Sequence, residues 1–258
     1  GMLQDYAERV AAHAAGTVRL LAGGREKHLT RGMNEVLGRS FSGVRASLGR
    51  QKSRVLHAWG PLPGASSWPR TSVLEDTGLT VVSHAGAFAA ERLDGGTRLL
   101  LDALGQGLGA SAGGGPRGAA VDLGCGTGIL ASWLAGQGFE VTAIDVSRAA
   151  SASARATAAA NGVAVEVLRA DGLAGRPSGS ADLVVCNPPF HRGTAKDSTP
   201  GFELLRGAVP ALAVGAEVWT VFNSHLPYLP FLRAEVGPTR VVARDRQYTV
   251  TRSTRRPA

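Results

Sequence analysis

Asn187-Pro188-Pro189-Phe190 has the residue types needed to act on a planar amine, and it lies downstream of a glycine-rich turn, Asp122-Leu123-Gly124-Cys125-Gly126-Thr127-Gly128. The exocyclic amino group of a base is a poor nucleophile, because its lone pair is delocalised into the ring. An amide oxygen and a backbone carbonyl that accept its two N–H bonds draw the nitrogen toward a pyramidal, nucleophilic geometry. Asn187 and the carbonyl of Pro188 can supply those acceptors. The two prolines fix φ and remove two backbone donors, so the turn is stiff and its carbonyls are free to face a ligand. Phe190 offers a face on which a base can stack, a contact worth about 1–3 kcal/mol in nucleic-acid complexes. An ordinary strand-ending turn over a buried phenylalanine could read the same way. The upstream glycine turn is what moves the reading toward methyl transfer.

Gly124, Gly126 and Gly128 are spaced G-x-G-x-G, with Asp122 two positions before the first. That spacing differs from the G-x-G-x-x-G dinucleotide fingerprint. Glycine is needed in either case, because the backbone turns sharply from strand to helix and a ligand must lie directly on it. Asp122 can hold the α-amino group of S-adenosylmethionine, directly or through water, whereas a carboxylate there would repel a pyrophosphate. The positive end of the helix that starts near Gly128 can take the methionine carboxylate. Asp145, at the end of the next strand, is placed to accept both ribose hydroxyls, and Asp171 can bind the adenine amino group. Structural capping explains each of these acids singly; their recurrence at three successive strand ends favours a donor site.

Such a site needs a sheet to position it. From about Leu79 the chain alternates strand, turn and helix: 119–123 then 129–137, 140–144 then 147–161, 164–168, 182–186 then 202–212, and 217–223. That alternation demands a mostly parallel sheet with helices on both faces. Asn187 then ends the fourth strand beside the first, and donor and acceptor meet above Gly124–Gly128, at the carboxyl ends of the strands. The front of the chain is also α/β: helical spacing from Leu3 to Ala11, a strand over 17–22, a helix over 26–37 and a strand over 52–59. The expected organisation is a short α/β unit over 1–60, a Pro/Gly/Ser-rich linker over 61–78 and the main domain over 79–258.

Lys and Arg number 28 against 20 Asp and Glu, a net charge of +8 that is unevenly spread. Eight basic residues fall between Arg25 and Arg54 against Glu26 and Glu35, and six arginines lie from Arg240 onward against Asp245. This balance suggests a polyanionic partner, most simply nucleic acid; solvated surface is the alternative for either cluster. Cys125 and Cys186 form no CxxC pair and have no zinc-like spacing, so no metal is expected and both read as small buried residues of a reducing compartment. No apolar run approaches about 18 residues and no charged-then-apolar leader opens the chain, so neither a membrane span nor a signal peptide is expected, and a cytoplasmic location follows.

Gly86-Ala-Phe88, Leu93-Asp-Gly-Gly-Thr97, the turn 122–128, Asp145-Val-Ser147, Asn161-Gly162, Asn187-Pro-Pro-Phe-His191 and Asn223-Ser-His-Leu-Pro-Tyr228 together resemble the ribosomal RNA (guanine-N2)-methyltransferases of the C type, for the small subunit, and the G type, for the large one. The resemblance runs from about Val81 to Arg252. It implies a class I methyltransferase (Rossmann-like) fold with a mostly parallel seven-stranded sheet, S-adenosylmethionine as donor, S-adenosylhomocysteine as product, and a guanine of ribosomal RNA as acceptor. By the same resemblance, Phe88 and Asp94, Gly96 and Thr97 help close the methionine end of the donor pocket, and Asn187 to Phe190, including Pro189, hold the base. The residues before about Gly60 are similar to the latter part of the cofactor-free N-terminal domain of the G type, here at less than half its length. Arg50, Lys52 and Arg54 fall in this portion and are expected on phosphates rather than bases.

Two residues keep double readings. His191 can hydrogen-bond the guanine or an RNA phosphate, or simply open a surface helix. Tyr228 can stack on a flanking nucleotide, or sit in the core with its hydroxyl satisfied. Protein glutamine methyltransferases also use an Asn-Pro-Pro turn, usually with Tyr in place of Phe190 and with a helical N-terminal domain. An adenine-N6 nucleic-acid methyltransferase needs the same amine chemistry. A catalytically inactive RNA-binding scaffold would retain the fold, but Asp122, Asp145, Asp171 and Asn187 are all present, which weighs against it.

Overall fold

The computed structural model describes residues 1–88, 92–108, 117–189, 191–192, 195–196 and 198–257, with backbone alone for 191–192 and 195–196. The chain divides into two compact units, Gly1–Arg70 and Thr71–Ala258.

In the first unit α1 (Met2–His13), β1 (Arg19–Arg25), α2 (Arg31–Gly38), β2 (Phe41–Ala46) and β3 (Ser53–Pro61) form two helices and an antiparallel sheet of order β1-β3-β2. Its core is Ala7, Leu37, Phe41, Leu56 and Ala58, with Leu3, Val10 and Ala11 of α1 packed against it, whereas Tyr6 faces out. The single helix expected over 26–37 is a short 3-10 turn, Glu26–His28, followed by α2. Leu29 and Thr30 are extended between them, and Leu29 packs on Gly24, so apolar contact overrides helix continuity. A two-residue turn joins β2 to β3: Arg50 and Ser53 exchange N–H···O bonds of 2.8 and 2.9 Å. Gln51 and Lys52 are left-handed there, with φ of 50° and 57°. That conformation costs a side-chain-bearing residue about 1–2 kcal/mol.

β4 (Arg70–Val73) begins on the boundary residue, and the second unit goes on with β5 (Thr80–Ser83), α3 (Gly95–Gly107), β6 (Ala119–Leu123), α4 (Ile129–Gly136), β7 (Glu140–Asp145), α5 (Arg148–Ala160), β8 (Val165–Arg169) and β9 (Ala181–Cys186). It continues with β10 (His191–Arg192), β11 (Ala195–Lys196), α6 (Thr199–Ala208), β12 (Leu212–Asn223), α7 (Tyr228–Glu235), β13 (Thr239–Arg244) and β14 (Tyr248–Thr254). Seven of the strands make one sheet of order β13-β14-β12-β9-β6-β7-β8, parallel from β12 to β8 and antiparallel at β14 and β13. Side chains alternate across it with the two-residue strand period. In β9, Leu183 and Val185 meet the core under α3, α4 and α5, whereas Val184 and Cys186 meet the core under α6 and α7. This is the mostly parallel sheet with two helical layers that the strand–helix rhythm demands.

Local differences from that expectation have local causes. The helix expected to reach Leu212 stops at Ala208 and tightens into a 3-10 turn at Val209–Ala211, where Pro210 has no N–H to continue it. The basic tail from Arg240 is mostly strand, β13 and β14, and Arg252 within it pairs with Glu217 of β12. Asn161, one of the residues behind the family resemblance, is a clamp: its amide donates to the Thr80 carbonyl at 2.7 Å and accepts the Thr80 N–H at 2.9 Å, fastening β5 to the end of α5.

Gly128 has φ of +79°, and a Cβ there would lie 2.7 Å from the Cα of Ala154, so α4 starts in contact with the backbone of α5. Gly126, at φ +53°, has open space around the same position. Gly126→Ala is therefore expected to cost about 1–2 kcal/mol for the left-handed conformation alone. Gly128→Ala adds overpacking, for a total of roughly 2–5 kcal/mol. Urea denaturation of both variants checks the order; equal losses would refute the helix-contact role of Gly128.

Candidate active site

The glycine turn is tied to the neighbouring strand. The N–H groups of Gly124 and Cys125 both donate to the carbonyl of Ile144, at 2.8 and 2.9 Å. The N–H of Gly126 donates to Asp145 Oδ2 at 3.0 Å, and Ser147 N–H donates to Asp145 Oδ1 at 2.8 Å. Each Asp145 oxygen thus holds one backbone donor and keeps lone-pair capacity for a ligand hydroxyl. A cavity of about 480 Å³ opens above, within the range of small-molecule sites. Gly124, Gly126, Asp145, Asp171, Asn187 and Pro188 all line it. A narrower recess shares Phe88, Gly124, Gly126 and Asn187 with it and adds Asp94, Thr97 and Cys125.

Asn187 follows β9, whose last residue, Cys186, pairs with Leu123 of β6. Its amide Nδ2 donates to Asp94 Oδ2 at 3.1 Å and to Thr97 Oγ1 at 3.0 Å. Asp94 caps α3 with the same oxygen, accepting the N–H of Gly96 at 3.0 Å and of Thr97 at 3.3 Å. Gly96 is buried against the ring of Tyr248. Pro188 is buried and Pro189 exposed on the cavity wall.

Asp122 is 1% exposed and does not line the cavity. Its Oδ2 accepts the N–H of Ala131 at 3.0 Å, in the first turn of α4, while its Oδ1 is buried without a partner. Burial pushes this carboxyl up to about 7 despite the Ala131 bond, and the Asp145 charge adds to the rise. Burial likewise pushes the thiols of Cys125 and Cys186 up, and both are free.

The remaining expected residues divide. Phe88 is 57% exposed and lines both spaces. Gly128 serves the helix contact described above. Phe190 lies outside the described residues, and of His191 only the backbone is described, in β10. Nucleotide stacking by Tyr228 is corrected: its ring is wholly buried, 4.9 Å from Phe222 and 4.8 Å from Phe202, so no face is open to a base. Its hydroxyl is also unpartnered, not satisfied, and crowds Gly201. Arg50 and Lys52 are exposed at the β2–β3 turn, whereas Arg54 pairs with Glu26 at 3.2 Å. Among the described residues no group of three or more His, Cys, Asp or Glu side chains could hold a metal, and no helix is long and apolar enough to cross a membrane.

Several cavity residues escaped the sequence reading. Val146, 63% exposed, follows Asp145 directly, and an apolar residue immediately after an acidic strand end is the local signal that could have flagged it. Pro200 and Leu204 of α6 reach the cavity only through the fold and carry no local signal.

A seven-stranded sheet of this order, with a glycine turn and acidic strand ends around one cavity, defines the class I methyltransferase fold. Residues 78–252 match the methyltransferase small domain, and the chain belongs to that family. It is 42% identical over 185 residues to ribosomal RNA small subunit methyltransferase C of Chromohalobacter salexigens, covering 72% of this chain and 53% of that protein. It is 36% identical over 259 residues to ribosomal RNA large subunit methyltransferase G of Pseudomonas paraeruginosa, covering 98% of this chain and 67% of the relative. The chain thus spans between about half and two thirds of the length of these relatives. Its fold matches the T. thermophilus 16S rRNA N2 G1207 methyltransferase, solved with AdoMet and guanosine, at a TM-score of 0.83 and 24% identity, covering 98% of this chain and 69% of that one.

Because burial raises the Asp122 carboxyl, the native state holds a proton that the unfolded chain releases near pH 4. This group's contribution to stability is therefore complete below that value and is lost as pH rises toward about 7. Asp122→Asn should flatten that part of the decline. Urea midpoints of wild type and variant between about pH 4 and 8 test it; parallel pH profiles would show that Asp122 is ionised throughout.

Proposed function

We propose that the chain transfers a methyl group from S-adenosylmethionine to the exocyclic N2 amine of a guanine in ribosomal RNA. The observation that carries this reading is the sharing of one cavity by Asn187 and Pro188 with Gly124, Gly126, Asp145 and Asp171. The residues fit the donor: Asp145 for the ribose hydroxyls, Asp171 for the adenine amino group, and the glycine backbone for close approach, whereas Asp122, buried behind the cavity wall, holds the first turn of α4 instead of the ammonium. When bound, the donor supplies an electrophilic methyl group on a sulfonium. Asn187 Oδ1 and the Pro188 carbonyl accept the two N–H bonds of the amine and direct its lone pair toward that methyl. As the amine attacks, the methyl–sulfur bond breaks, S-adenosylhomocysteine leaves and the nitrogen gives up one proton to water; its N–H bonds become more acidic on the way, so the hydrogen bonds to Asn187 and Pro188 strengthen and lower the barrier more than they aid binding. The names of the relatives, and the guanosine bound to the T. thermophilus enzyme, favour guanine over adenine. A ribosomal substrate implies a cytoplasmic protein. The exposed Arg50 and Lys52 turn supplies phosphate contacts.

Labelled donor offered to separated ribosomal subunits from a strain lacking the gene should place the label in N2-methylguanosine. Label in N6-methyladenosine, or none in RNA, would overturn the reading. In single-turnover reactions with saturating RNA, Asn187→Ala should be slower by on the order of 10²–10³, the loss typical of one preorganised polar group, with donor affinity retained. For the RNA contacts, Arg50→Ala with Lys52→Ala should weaken RNA binding and flatten its dependence on salt by about 0.7–0.9 per lost contact in a log–log plot. An unchanged slope would make this turn ordinary solvated surface.

A further inference from the structure

An amide side chain has two ends of nearly equal size and opposite hydrogen-bonding character. Asn187 can help an amine only with Oδ1 toward it; reversed, its Nδ2 hydrogens would confront the amine's own N–H bonds. Something must therefore choose the orientation. We propose that Asp94, assisted by Thr97, is a positioning residue for methyl transfer: it fixes which way the Asn187 amide points. The proposal rests on the reading of Asn187 as the acceptor of the amine's N–H bonds.

The geometry supplies the choice. An ionised carboxylate only accepts hydrogen bonds, so the group 3.1 Å from Asp94 Oδ2 must be the amide nitrogen of Asn187. Its second hydrogen goes to Thr97 Oγ1 at 3.0 Å, which uses both donors of the amide and leaves Oδ1 for the substrate. Asp94 is itself held, because the same oxygen accepts the N–H groups of Gly96 and Thr97 at the start of α3. That helix is anchored by Leu100, Leu101 and Leu104 in the core. Its N-terminus thus transmits the rigidity of the packed domain to one amide. A negative charge behind the nitrogen also polarises the amide and strengthens Oδ1 as an acceptor, since bonds in a chain reinforce one another in a low-dielectric site. The role suggested by family resemblance, closing the methionine end of the donor pocket, differs from this one and predicts a different defect.

Asp94→Ser separates the possibilities, because serine still caps a helix but is too short to hold the amide. Single-turnover methylation should fall by roughly 10–100-fold, the size of loss that follows removal of the outer partners that orient metal ligands, while calorimetry with S-adenosylhomocysteine shows unchanged affinity. Asp94→Asn should recover most of the rate, since the cap keeps an oxygen facing Gly96, Thr97 and the amide. Thr97→Val leaves the Asp94 cap in place and should give a smaller loss, which keeps the test open if the serine variant folds poorly. In a double-mutant cycle, Asp94→Ser should cost nothing further once Asn187 is alanine. Additive losses, or weakened donor binding in Asp94→Ser, would overturn the positioning role while leaving a slow Asn187→Ala enzyme and the proposed function intact. An Asn187→Ala enzyme at wild-type rate would remove both.

Discussion

The parallel pairing of β6 with β9, which sets Leu123 opposite Cys186, is the constraint on which the site depends. β6 runs into the glycine turn and β9 runs into Asn187, two segments that lie far apart in the chain and meet only through this pairing. Strand neighbours lie about 4.8 Å apart, so this register brings the glycine turn and the Asn187–Pro188 turn to one cavity. The side chains that enforce it are the buried Val121, Leu123, Val184 and Cys186 on one face and Ala120, Leu183 and Val185 on the other. A shift by one residue would exchange the faces and turn apolar groups out of both cores.

Three carboxylates close to the glycine turn and Asn187 hold backbone N–H groups at the starts of helices and turns. Asp94 caps α3, Asp122 meets the first turn of α4, and Asp145 holds the glycine turn with one oxygen and the approach to α5 with the other. Backbone N–H groups at helix starts have no intrahelical partner, so an acid there satisfies them and complements the helix dipole. The same bonds fix the acid in place. Structural capping and ligand binding, which compete as explanations of each acid in the sequence, do not exclude one another at Asp145, where each oxygen holds one backbone donor and the side chain still lines the cavity.

Basic composition overstates the charge available to a partner. Arg54 pairs with Glu26, Arg252 pairs with Glu217 beside the indole of Trp219, and Arg255 and Arg256 donate to the carbonyls of Val209 and Arg233. An exposed pair such as Arg54–Glu26 is worth about 0–1 kcal/mol to stability, yet all of these bonds remove guanidinium groups from the set free to meet phosphate. Arg50 and Lys52 stand out because a tight turn holds them at the end of a hairpin, in a left-handed backbone at Lys52 that favours glycine.

The strand–helix rhythm, the glycine spacing and the acids at strand ends were legible in the sequence because each is a local pattern: two-residue and 3.6-residue periods, turns that need glycine, and strand ends that need caps. They determined the parallel part of the sheet, the position of Asn187 beside the glycine turn, and the placing of Asp145 and Asp171 on the cavity wall. The antiparallel edge formed by the basic tail was not legible, because β13 and β14 are strands without a continuous apolar run, and the first of them is half-exposed. Nor was the burial of Tyr228, whose neighbours Phe202 and Phe222 come from other elements. The bond from Asn187 to Asp94, across 93 positions, has no local signature. Only tertiary structure could decide it, because the direction of an amide depends on which donor or acceptor the packed helix α3 brings to it, and that is a property of the assembled core, not of any segment.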